Sequence, residues 1–168
     1  MWELLEMEFQ KKIQKAQVII DSFSGEDRTR LLDICNEIKR AQDDLNREAK
    51  DYFNDCMQRC QGICCRNIGI NDVVTLLDLI YILAINKKIT ARVHTCAQAE
   101  TLFPADCLFL QNGQGPCLFS ANSKPERCII TFCGEVRPIR KEIRAVRSKF
   151  NKLSRYTKIK RPFLWVRF

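Results

Sequence analysis

Between positions 56 and 65 the chain reads CMQRCQGICC, four cysteines in ten residues. Few folds tolerate that density, and each that does needs the sulfurs for something: disulfides, a buried core, or a metal. Six further cysteines stand at 35, 96, 107, 117, 128 and 133. The compartment weighs on the choice. The opening MWELLEMEF is acidic and lacks the basic start, apolar middle and small-residue cleavage site of a secretory leader. No run reaches the ~18–20 uncharged apolar residues of a membrane span; VVTLLDLIYILAI (73–85) is shorter and contains Asp78. The expectation is a cytoplasmic chain without a membrane span, in a reducing milieu that disfavours disulfides. A bond between the adjacent Cys64 and Cys65 would also strain the peptide joining them. Buried free thiols suit Cys35, which lies beside an apolar helical stripe, since cysteine packs as a small hydrophobe. Packing alone does not explain why the other cysteines cluster.

Metal ligation does. Thiolates are soft anionic donors, and four of them satisfy tetrahedral zinc or the corners of an iron–sulfur cluster. Cys56, Cys60 and Cys64 follow one another at i, i+4, and Gly62 frees the backbone to curl around an ion. Cys107, Cys117, Cys128 and Cys133 form a second set, in a stretch rich in glycine, proline, asparagine and serine that needs a staple to be ordered. The side chains of Cys64 and Cys65 tend to diverge, so either the pair divides between two sites or one member packs. His94, the one histidine, stands two residues before Cys96. It reads as a helix histidine, while Cys96 stays open between ligand and core. The spacings are not those of a C-x₂-C zinc finger.

These two blocks, CMQRCQGICC (56–65) and CLFLQNGQGPCLFSANSKPERC (107–128) closing with Cys133, resemble the YkgJ-type cysteine-cluster family of zinc- or iron-chelating proteins. That family has a spaced cluster ending in a CC pair, then a C-x-F-L, C, R-P-x-x-C arrangement. Lys124 stands here where the family usually has arginine. The resemblance covers about residues 56–133 and implies a metal site with Cys56, Cys60, Cys64, Cys65, Cys107, Cys117, Cys128 and Cys133 as ligands, without implying a reaction.

Three zones organise the chain. Residues 1–55 carry two helical stripes, Trp2–Leu5–Phe9–Ile13–Ala16–Ile20 and Leu31–Ile34–Ile38–Ala41–Leu45–Tyr52, separated by DSFSGED, where Ser24 and Asp27 have the spacing of a capping box. Two amphipathic helices on a short loop predict an antiparallel helical hairpin. Residues 56–133 are the cysteine-cluster region. Within it, a helix apolar on most faces follows Asn71 or Asp72 as cap, a short helix spans about 90–100, and CLFL and CLFS pair as a small hairpin. Residues 134–168 form a basic amphipathic helix and tail, with Pro138 in its first turn and an apolar stripe Ile139, Ile143, Val146, Phe150, Leu153. The fold class is mainly α, with the three zones in one compact unit.

Charge is concentrated in the last zone. Residues 1–60 hold 10 basic and 13 acidic side chains, whereas residues 134–168 hold 12 basic and 2 acidic. With Phe150, Tyr156, Phe163, Trp165 and Phe168 interleaved, this tail suits a nucleic-acid backbone with rings stacking on bases, or an acidic protein. The bland alternative is a solvated helix face. No catalytic triad or carboxylate pair is recognisable: Asp72 reads as a cap and Asp78 as a polar position on an apolar helix. The functional expectation is a metal-binding protein holding an iron–sulfur cluster or Zn²⁺ through both cysteine blocks, in electron transfer or redox sensing with a protein redox partner. The alternative is a zinc-stapled module that binds nucleic acid or an acidic protein through the tail.

Overall fold

The computed structural model of the chain describes residues 2–55, 69–97, 107–110 and 117–166. They form nine α-helices and a 3₁₀ turn, and no strand longer than an isolated bridge occurs among the described residues. In chain order the helices are α1 (Trp2–Asp21), α2 (Gly25–Glu48), α3 (Lys50–Asp55), α4 (Ile70–Val73), α5 (Leu76–Ile85), α6 (Lys87–Ala97), α7 (Glu126–Ile130), α8 (Arg140–Lys160) and α9 (Pro162–Val166). No described helix is long and apolar enough to cross a membrane.

The apolar periodicities fall where a core needs them. Phe9, Ile13, Ala16 and Ile20 of α1 are buried, as are Leu31, Ile34, Ile38, Ala41 and Leu45 of α2 and Ile143, Val146, Phe150 and Leu153 of α8. Each fully buried aliphatic or aromatic side chain stabilises the fold by ~1.5–3 kcal/mol. On α5 every residue from Asp78 to Ala84 is buried, so this helix is the centre.

That centrality overturns the antiparallel hairpin. α1 runs chiefly against α5, and α2 runs chiefly against α8 while also touching α5. A helix without a polar face must be covered all round, so α5 takes the place beside α1 that a simple hairpin would give to α2. The C-terminal stripe likewise finds its partner within this chain, on α2.

Helix ends were less regular than the sequence suggested. Ser24 is the residue before α2, but its side chain makes no capping bond. Asp27 is drawn instead to Lys160 (2.9 Å), Arg161 (3.8 Å) and the Tyr156 hydroxyl, which donates to it. Gly25 closes the α1–α2 turn with φ +51°, a left-handed conformation that suits glycine. The cap of α5 is neither Asn71 nor Asp72. It is Thr75, whose hydroxyl accepts the Asp78 N–H at 3.2 Å while the Asp78 carboxylate accepts the Thr75 N–H at 2.8 Å. The signal was present as T-x-x-D (75–78), masked by the apolar Val73–Val74 read as helix. Pro138 does sit at a helical start, in the 3₁₀ turn Arg137–Ile139 that leads into α8.

Candidate metal centre

Cys56, Cys60, Cys64 and Cys65 lie outside the described residues. The four downstream cysteines lie within them. Cys107 and Cys117 flank a fragment of the expected hairpin: Leu110 and Cys117 form an antiparallel bridge, and the Leu118 N–H donates to the Phe109 carbonyl at 2.7 Å. Phe109 and Phe119 stack behind it at 4.5 Å and face the core, with Phe9 at 5.9 Å from Phe109. Residues 107–110 form a turn closed by the Leu110 N–H on the Cys107 carbonyl at 3.0 Å, and Cys107 and Cys117 are half-buried. Cys128 is half-buried on α7, and Cys133 is exposed just beyond it.

Desolvation pushes the Cys117 thiol above its ordinary pKa, although the Phe119 N–H donating to its sulfur and the nearby Lys124 both favour the thiolate. Backbone donors and a cation around a buried sulfur suit a thiolate whose charge a metal shares. Cys35 differs: fully buried in the core, its thiol is pushed up to about 12, which leaves it an inert packing residue. Cys96 is half-buried against the core, and burial likewise raises its thiol. His94 falls within α6.

The segment carrying the downstream block is held by polar side chains of α2 and α5. Gln42, fully buried, donates to the Lys124 carbonyl at 2.8 Å and accepts the Lys124 N–H at 3.1 Å. Asn46 donates to the Ala121 carbonyl at 2.9 Å, and the buried Tyr81 hydroxyl donates to that of Asn122 at 2.7 Å. Asp78, the capping residue of α5, also accepts the Glu126 N–H at 2.7 Å and so fixes the start of α7 two residues before Cys128. Burial moves the Asp78 carboxyl upward, against the pull of Glu126 and Thr75 as donors. Sequence reasoning missed Gln42, Tyr81 and this second role of Asp78. A buried polar residue on an apolar stripe, as at Gln42, is the trace they leave in sequence.

The same segment is strapped to α3. Phe132 packs on Tyr52 at 5.7 Å and on Phe53 at 5.1 Å, Lys124 sits over the Phe53 ring at 5.4 Å, and the Tyr52 hydroxyl donates to the Glu135 carbonyl at 2.9 Å. Phe53 is three residues before Cys56 and Phe132 is next to Cys133. The end of the second block therefore packs on α3, the helix that directly precedes the first block in sequence. Among the described residues no three histidine, cysteine or carboxylate side chains gather into a metal-binding group. Cys107, Cys117, Cys128 and Cys133 therefore do not close a site among themselves. Comparisons with protein-family models, with curated proteins and with solved structures gave no match to this chain.

Proposed function

We propose that the protein is a thiolate metal-binding protein whose site draws ligands from both cysteine blocks, in keeping with the resemblance to YkgJ-type cysteine-cluster proteins. The observation that supports this reading is the contact of Phe132, next to Cys133, with Tyr52 and Phe53 of α3, the helix that precedes the first block in sequence. Cys56, Cys60 and one or both of Cys64 and Cys65 would supply one side, and Cys107, Cys117, Cys128 and Cys133 the other. An iron–sulfur cluster there would supply one-electron chemistry, whereas Zn²⁺ would supply a structural link. This chain's residues hold Cys117 and Cys128 in place through Phe119, Lys124, Gln42 and Asp78. Binding expels the thiol protons that burial otherwise retains, so affinity rises with pH.

Anaerobic purification followed by iron, zinc and acid-labile sulfide analysis tests the reading. Iron with matching sulfide supports redox work with a protein partner, and stoichiometric zinc supports the structural role. Cys60→Ser and Cys128→Ser should each lose most of the metal, and Cys35→Ala should lose none. A protein that carries no metal, or a Cys128→Ser variant that keeps all of it, sinks the assignment.

A second reading concerns the basic C-terminal zone as an interaction surface for nucleic acid or an acidic protein. The outward face of α8, where Arg144, Arg147, Ser148, Asn151, Lys152 and Arg155 line a shallow concavity of about 390 Å³, favours it.

A further inference from the structure

Ten of the twelve basic residues of the last zone fall into two groups. One group is spent inside the fold: Lys149 and Lys152 on Glu37, Lys160 and Arg161 on Asp27, and Arg137 on Glu135. The other follows a single line along α8. Arg140, Arg144, Arg147, Arg155 and Lys158, with Asn151 between them, recur at steps of four and three and are all exposed. Among the described residues no carboxylate forms an ion pair with any of these five cations, although Arg147 is near enough to Glu126 to favour its ionised form. At 1.5 Å per residue the line extends ~27 Å, with its members ~4.5–6 Å apart along the axis and Asn151 filling the ~12 Å between Arg147 and Arg155.

We infer that this line is a binding surface for the phosphate backbone of a nucleic-acid duplex. The inference rests on the interaction reading of the C-terminal zone and chooses its partner. Charge complementarity demands a polyanion, and four of the five cations are arginines, whose planar fork matches phosphate geometry. Asn151 and Ser148 add uncharged donors of the kind that contact phosphate. A single strand is disfavoured because its affinity depends on stacking, and the two rings interleaved within α8 turn away. Phe150 is buried in the core and Tyr156 stacks on Phe23 at 5.6 Å. A lipid surface takes the apolar face of an amphipathic helix, and that face of α8 is occupied by α2. A protein partner needs an apolar centre to its interface, and none lies along the line. Exposed Ile159, Phe163 and Val166 stand only at its C-terminal end.

The test is fluorescence anisotropy of a labelled short DNA duplex titrated with full-length protein at several salt concentrations. The wild type should bind with log affinity falling linearly in log salt. The triple substitution Arg144→Gln, Arg147→Gln, Arg155→Gln should reduce that slope by about 2–3 and weaken binding roughly a hundredfold at ~0.1 M salt. Its melting temperature should stay close to wild type, because these side chains make no ion pair or side-chain hydrogen bond among the described residues and only Arg147 has a carboxylate, that of Glu126, in its neighbourhood. Lys149→Gln is the control: it should lower the melting temperature while leaving the salt slope close to wild type. An unchanged slope in the triple variant overturns the inference. Binding to poly-glutamate without binding to the duplex overturns it too, but leaves the interaction reading standing. Binding only to phosphatidylserine–phosphatidylcholine vesicles overturns both, as does binding to none of these probes.

Discussion

Asp78 shows how one side chain can serve two elements. Its carboxylate accepts from the Thr75 N–H at 2.8 Å, the Thr75 hydroxyl at 2.6 Å and the Glu126 N–H at 2.7 Å. The first two start α5 and the third starts α7. Desolvation of a carboxylate is costly unless its lone pairs are satisfied, and here three donors satisfy them. Asp78→Ala should therefore destabilise the protein by about 3 kcal/mol, because it removes a cap and leaves buried donors unpaired. Chemical denaturation measures this, and a loss below about 0.5 kcal/mol, the range of ordinary surface substitutions, would show that water replaces the carboxylate. In sequence Asp78 is a polar interruption on an apolar helix. Its capping role could be read from Thr75, but its bond to Glu126 could not, because 48 residues separate the partners.

At the scale of the element, α8 keeps separate tasks on separate faces. Its apolar stripe fills the core, its flank holds α2 and its outer line of cations is exposed. The flank is a clamp in which Glu37 of α2 receives Lys152 at 2.6 Å and Lys149 at 3.0 Å. Lys152 and then Lys149, as donors, lower the Glu37 carboxyl from its ordinary 4.5 to about 2. Its folded pKa lies below the unfolded one, so the clamp stabilises the protein above the ordinary value of 4.5 and loses that contribution as pH falls toward 2. Both lysines are more than a third exposed, at 39% and 38%, and solvent screening holds the contribution to ~1 kcal/mol. Glu37→Gln should remove about that much at neutral pH and flatten the decline of stability in acid, as read from urea midpoints across pH. A variant with the same acid profile as wild type would assign the decline to other carboxylates.

At the scale of the whole molecule, the core and the cysteine region depend on different forces. Buried residues of α1, α2, α5 and α8 form one apolar cluster that also takes in Phe109, Phe119 and Ile129 from the cysteine region. Hydrogen bonds from Gln42, Tyr81 and Asp78 hold the 122–126 stretch with no metal involved. Stripping metal with a chelator should leave most of the far-UV helical signal in place, and should leave the amides of Lys124 and Glu126 slow to exchange. Loss of helical signal on chelation would mean that metal holds the core as well.

The sequence by itself determined the mainly helical class, the core faces of α1, α2 and α8, the centrality of α5 and the inert place of Cys35. Each of these follows from local periodicity, and burying one face of a helix is a decision its own residues make. Tertiary structure decided what periodicity does not encode: that α5 displaces the expected hairpin, that Asp27 leaves its cap for the end of α8, and that Tyr156 stacks on Phe23. It also decided that Phe132, at the end of the second cysteine block, packs on α3. Those outcomes depend on which apolar faces and which lone pairs meet across the chain, and such contacts join residues too far apart in sequence for spacing to foretell.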